Sequence, residues 1–205
     1  MTWLLPFLML LIMFAVVATS YGEGMWSNAI KLINVVTAAL LATNYFEPVA
    51  RRLEGWQPTY TYLWDFLSLW LLFSLFMLVF RLLTDSLSRV KVRFLKIADR
   101  IGSSVLSVWI GWVMICFTLM TLHTAPLSKN FLFGGFKTGT EERMMLGLAP
   151  DRWWLGFMQQ MSQKAFSRAK PKVFDPNADF MPKYATRRAN LEEHISKTNA
   201  LRVRL

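Results

Sequence analysis

Residues 102–122, GSSVLSVWIGWVMICFTLMTL, contain no charged side chain. A helix needs about 20 mostly apolar residues to cross the hydrocarbon core of a bilayer. No water is available there, so the backbone must satisfy its own hydrogen bonds, and the run reads as a helix. Three more apolar runs repeat the theme. Residues 3–20, WLLPFLMLLIMFAVVATS, are also uncharged. No Lys or Arg precedes Lys31, so the positive start of a cleaved secretory signal is missing, although VVATS resembles a cleavage-site end. Residues 25–46 are apolar but interrupted by Asn28, Lys31, Asn34 and Asn44. Residues 62–83 carry Asp65 near one end and Arg81 near the other. Trp3, Trp26, Trp56, Tyr60, Tyr62 and Trp64 fall near run ends, where aromatic belts form. The expected fold class is all-α. It is an integral membrane four-helix bundle over residues 1–123, followed by a partly disordered basic tail over 124–205.

Charge decides the next step. The 205-residue chain is 54% hydrophobic and carries a net +10. Residues 1–125 hold nine Lys/Arg against six Asp/Glu, a net +3; residues 126–205 hold fourteen against seven, a net +7. A basic, apolar chain points to anionic lipid head groups ahead of nucleic acid. The single cysteine, Cys116, cannot form an internal disulfide.

Between the third and fourth runs lie Arg81, Arg89, Lys91, Arg93, Lys96 and Arg100, opposed only by Asp85 and Asp99. Lys/Arg enrichment near span ends marks the cytoplasmic side. Four spans then put both termini outside the cytoplasm. The basic tail opposes this, but only Lys129 and Lys137 lie close to the end of the fourth run, and long domains translocate largely regardless of charge. Within residues 84–101, Leu87, Val90, Phe94, Ile97 and Ile101 step by three and four. Arg89, Lys91, Arg93, Lys96 and Arg100 occupy the rest of the turn. That pattern predicts an amphipathic surface helix on anionic lipid; the alternation in RVKVRF also fits a short strand.

The order of parts resembles the colicin V production protein family of bacterial inner-membrane proteins. The resemblance rests on TNYFEPVARRL (43–53) and ADRIGSSVLSVWIGW (98–112), and chiefly on Tyr45, Pro48, Asp99, Arg100, Gly102 and Gly111. It covers residues 3–123. The basic turn usual after the first helix is replaced by YGEGMWSN. The resemblance implies a multi-pass membrane protein linked to toxin production and envelope function, and it implies no reaction.

Several residues are candidates for a role. Ser27, Lys31, Asn34 and Thr37 share one face of the second helix, and intramembrane polar groups are functional candidates by default. They form a polar seam or ion path, or else Lys31 snorkels and Asn34 bonds a neighbouring helix. Asp65 pairs with Arg51 or Arg52, or sits in interfacial water. Ser103, Ser107 and Gly111 form a small-residue ridge suited to close helix packing, with a flexible point at Gly111 as the alternative. Asp99 and Arg100 open the fourth helix, where the dipole favours Asp. Two histidines and one cysteine show no metal-ligand spacing. GGFKTGT (134–140) lacks the phosphate-loop pattern, because positions 131 and 136 are Phe. No catalytic residue, metal or cofactor is expected.

In the tail, a helix is predicted over 150–166, with Trp154, Phe157, Met158, Met161 and Ala165 on one face. That face docks on the bilayer, on the bundle or on a partner. Residues 170–185 read as extended, with Thr186 capping a last helix that turns Leu191 and Ile195 inward. Function follows from the resemblance: a non-enzymatic component supporting toxin production or export and envelope homeostasis. A small oligomeric channel or transporter using the second helix is the alternative, and a nucleic-acid-binding tail is a third class. A homo-oligomer and envelope protein partners remain open.

Overall fold

The computed structural model describes residues 3–87, 95–127, 131–136, 143–164 and 173–202. Among them the regular structure is entirely helical, in the order α1 (Leu4–Ser20), α2 (Met25–Trp56), α3 (Thr61–Leu87), α4 (Lys96–Thr124), α5 (Pro150–Gln163) and α6 (Phe180–Arg202), with short 3-10 turns between. Three helices are long and apolar enough to cross a membrane: α2, α4, and α3 together with the Pro58–Tyr60 turn that leads into it. The first run is a shorter apolar helix of 17 residues. At 1.5 Å per residue it spans about 25 Å, short of the ~30 Å hydrocarbon core. So the expected four spans are seen as three, plus a short apolar helix.

The first four helices alternate in direction. Asn34 of α2 donates to Thr84 near the end of α3, and the start of α2 touches the start of α4 through Met25 and Asp99. In space α4 lies between α1 and α2, and α2 lies between α4 and α3. From Asp65 to Thr84 the axis of α3 rises roughly 28 Å, close to one hydrocarbon thickness. Over that length Leu67, Leu71, Leu75, Leu78 and Leu82 are exposed, as are Phe7, Leu10, Leu11 and Phe14 of α1. An apolar surface this extensive belongs against lipid.

Element ends shift from the expected ones for physical reasons. α2 runs on to Trp56 instead of ending at Phe46, and it passes through Pro48. Pro48 has no N–H to give the Asn44 carbonyl. Beyond it, Ala50, Arg51, Arg52, Leu53 and Glu54 are good helix formers, and Arg51 pairs with Glu47 at 3.6 Å. The helix leaves the apolar layer without stopping. Residues 84–87 are the last turn of α3 and 96–101 the first turns of α4. Arg89, Lys91, Arg93, Val90 and Phe94, the centre of the expected surface helix, lie outside the described residues.

The tail folds back onto the other end. α5 packs on α4. Trp154 and Met158 are buried in the main core with Phe46, Leu69, Phe73 and Phe117. The Trp154 ring meets Phe117 edge-on at 5.7 Å, and its indole N–H reaches the Thr43 hydroxyl at 3.2 Å. A buried indole usually finds such a partner. Of the three docking surfaces expected for α5, the structure shows the helical body; Ala165 lies outside the described residues. α6 begins at Phe180, so residues 180–185 are helical and not extended, and Thr186 is internal. The cap is Asp175, whose Oδ1 accepts from the backbone N–H of Asp179 at 2.6 Å and of Phe180 at 3.2 Å. Leu191 is half-buried and Ile195 is exposed.

Candidate functional site

Polar groups gather at both ends of the helix array. The first cluster joins the starts of α2 and α4 to the end of α1. The Asp99 Oδ1 atom accepts the backbone N–H of Met25 at 2.9 Å, filling one donor that the first turn of α2 cannot satisfy itself. Gly24, at φ 83°, turns the chain into that contact. A Cβ on Gly102 would lie 2.2 Å from the Met25 sulfur, so any larger residue there would force the Met25 side chain to move. Further in, Asn28 is fully buried. Its Nδ2 lies 2.9 Å from the Ser20 carbonyl, 2.9 Å from Ser103 Oγ and 3.2 Å from Ser107 Oγ. Ser103 Oγ donates to the Tyr21 carbonyl at 3.2 Å, and Ser107 Oγ donates to the Ser103 carbonyl at 2.7 Å. Asn28 therefore ties three helices together.

The polar face proposed for α2 is divided among neighbours. Lys31 pairs with Glu23 at 2.7 Å and donates to Ser20 Oγ at 3.3 Å. Asn34 donates to Thr84 Oγ1 at 3.0 Å. Ser27 and Thr37 are half-buried. Ser103, Ser107 and Gly111 are buried on the face of α4 turned to α1 and α2; a Cβ on Gly111 would lie 2.4 Å from the Met13 sulfur. Lys96 and Arg100 are exposed beside the exposed Ile97 and Ile101. Tyr45 is exposed on α2.

The second cluster lies where α4 ends and α6 crosses. His123 Nε2 and Asp151 Oδ2 are 3.0 Å apart, each side chain 2% exposed. The Arg187 guanidinium meets Asp65 Oδ2 at 2.6 Å and also donates to the Thr61 carbonyl at the start of α3. Asp65 thus has neither of its two expected settings: it is buried, and its partner is Arg187 rather than Arg51 or Arg52. Lys183 pairs with Glu47 of α2 at 2.6 Å. Arg188 Nη2 donates to the His123 carbonyl at 3.1 Å and, more weakly, to that of Leu122 at 3.5 Å. The His123 carbonyl is one that the last turn of α4 leaves open; that of Leu122 also accepts the Ala125 N–H. One face of α6 thus holds α2, α3 and α4 together.

Electrostatics here follow burial. Desolvation, then the Asp65 and Glu47 carboxylates, pushes the Tyr184 hydroxyl well above the ordinary tyrosine range. The hydroxyl faces Asp65 without reaching hydrogen-bond geometry. Burial lowers the pKa of Arg188, with Glu192 acting in the opposite sense. No group of three or more His, Cys, Asp or Glu side chains among the described residues is arranged to hold a metal ion. Sequence reasoning missed this cluster because its parts are far apart: His123 and Asp151 are 28 residues apart, Asp65 and Arg187 122. The available signal was Pro150–Asp151 opening an amphipathic helix.

No curated protein and no solved structure gives a significant match to this chain. The family model described as colicin V production protein matches residues 5–138. That span takes in α1 to α4 and ends before α5 and α6. The chain, a membrane protein with three helices long and apolar enough to span, belongs to the colicin V production protein family.

Proposed function

We propose that this protein is a non-enzymatic component of the bacterial inner membrane that supports toxin production or export and envelope homeostasis. The observation that carries the reading is the family match over α1 to α4. The chemistry of the polar groups supports it. Asn28, Lys31, Asn34, Asp65, His123 and Asp151 all engage protein partners within the helix array. Groups used in this way hold helices together. That weighs against an ion path along α2, where Lys31 is taken up by Glu23 and Ser20 and Asn34 by Thr84 of α3.

The proposed placement keeps the basic 84–101 connector cytoplasmic, where exposed Lys96, Arg100, Ile97 and Ile101 suit an anionic leaflet. α5 and α6 then lie outside the cytoplasm with the 57–60 turn, where envelope proteins are reachable. The test is deletion of the gene from its host, scored for release of a colicin V-type toxin and for detergent sensitivity. Loss of either property, restored by the full chain, supports the reading. A deletion strain unchanged in both would overturn it. In reconstituted vesicles Lys31→Leu should leave ion flux unchanged, whereas abolished flux would favour the channel.

A further inference from the structure

Count the charges at the α6 end. Asp65 is held by Arg187, Asp151 by His123 and Glu47 by Lys183. Arg188 has no ion pair among the described residues. It is 6% exposed, yet its acceptors there, the carbonyls of Leu122 and His123, are uncharged. Its Nε finds no hydrogen-bond partner among the described residues. Glu192, one turn along α6, acts on it through space. The Tyr184 hydroxyl, on a residue 3% exposed, faces Asp65 without hydrogen-bond geometry and is a second buried polar atom with no partner among the described residues. Both residues line one pocket, together with Tyr62, His123, Arg187 and Leu191. The pocket is shallow, and its enclosed space admits about one water-sized group. Tyr62 places it at the start of α3, just beyond the Asp65–Thr84 stretch that matches one hydrocarbon thickness.

A buried guanidinium with no carboxylate in salt-bridge contact among the described residues is costly, and guanidinium is the side chain best suited to phosphate oxygens. We propose that this pocket binds a phosphate group, one oxygen entering between Arg188 and Tyr184 while the rest occupies the mouth. The group comes from a phospholipid of the surrounding leaflet or from inorganic phosphate. Part of the site is supplied by α6, beyond the segment the family model matches, so the proposal does not depend on the toxin-related reading.

The test uses the full chain purified in a neutral, phosphate-free detergent. One arm titrates inorganic phosphate against chloride at matched ionic strength and follows thermal stability. The other measures retention of phosphatidylglycerol, relative to a neutral diacylglycerol, by native mass spectrometry. Stabilisation by inorganic phosphate identifies the free ion; retention of phosphatidylglycerol alone identifies the lipid. Arg188→Gln should weaken whichever binds by roughly 30-fold, and Arg188→Lys should recover part of it. If Arg188→Gln does not fold, Tyr184→Phe decides, with binding several-fold weaker than wild type. Wild-type protein that binds neither probe overturns the proposal. So does a folded Arg188→Gln, or in its absence a Tyr184→Phe, that binds as tightly as wild type.

Discussion

Asp99, near the start of α4, caps the start of α2: its Oδ1 accepts the Met25 backbone N–H at 2.9 Å across 74 residues of sequence. The contact gives a physical meaning to the Asp-Arg-x-x-Gly stretch. Asp99 supplies the cap, and Gly102, three residues on, supplies the room for Met25. Removing the cap as Asp99→Ala should cost about 1 kcal/mol. Asp99→Asn, which keeps an acceptor oxygen, should lose less. Thermal unfolding of the detergent-solubilised protein measures both.

Gly102→Ala should destabilise more than its small size suggests. The new Cβ would meet the Met25 sulfur at 2.2 Å and Cγ at 2.7 Å, an overpacking of the kind that costs roughly 1–3 kcal/mol. Met25→Ala removes both atoms. The double variant should therefore recover most of the loss, and a double variant no more stable than Gly102→Ala would show that the obstruction lies elsewhere.

Asn28→Leu should weaken the joint between α1, α2 and α4. Interhelical hydrogen bonds in membranes contribute about 0.6 to 2 kcal/mol each, and Asn28 contacts Ser20, Ser103 and Ser107 together. A comparable loss is expected on unfolding. Lys31→Leu, whose ion pair with Glu23 is part-exposed, should lose less than Asn28→Leu in the same assay.

Asp151→Ala and His123→Ala should each destabilise, because each leaves a buried polar group short of its partner, at about 1–3 kcal/mol. The double variant should be less damaged than the sum, with a coupling of roughly 0.5–3 kcal/mol. Strict additivity would mean that the 3.0 Å contact contributes nothing to stability.

Tyr184 makes stability depend on alkaline pH. Its folded pKa is raised above its unfolded value by burial and by Asp65. Its contribution is therefore complete below the unfolded pKa of about 10 and is lost as pH rises from there toward the folded value. Wild type should lose stability above about pH 10 more steeply than Tyr184→Phe. Parallel curves would contradict the burial of this hydroxyl.

The apolar runs around 25–46, 62–83 and 102–122 were legible in the sequence because hydrocarbon imposes one requirement on every residue of a span. Their ends were not. Charge marks where the lipid stops, and α2 shows that a helix need not stop there: Glu47, Arg51 and Glu54 continue it in water. Asn28, Lys31 and Asn34 were legible as polar interruptions. Their partners were not, because a helical face predicts direction without saying which helix lies opposite. The tail was the least legible part. Trp154 and Met158 looked equally suited to lipid, protein or a partner, and only the position of Thr43 and Phe117 selects among them. The α6 cluster depends on Asp65 and Arg187 meeting across most of the chain, which no local pattern encodes.

α5 and α6 pack at the end of the helix array that holds the 57–60 turn, and the proposed placement puts that end outside the cytoplasm. Cysteine accessibility tests it most directly. In a Cys116→Ser background, single variants Thr59→Cys, Asn190→Cys and Ser86→Cys place thiols at exposed positions on the turn, on α6 and near the end of α3. Intact spheroplasts are treated with a membrane-impermeant maleimide. The account predicts labelling of the first two without lysis and protection of the third until lysis. Labelling of Ser86→Cys in intact spheroplasts, or of Thr59→Cys and Asn190→Cys from opposite sides, would contradict it.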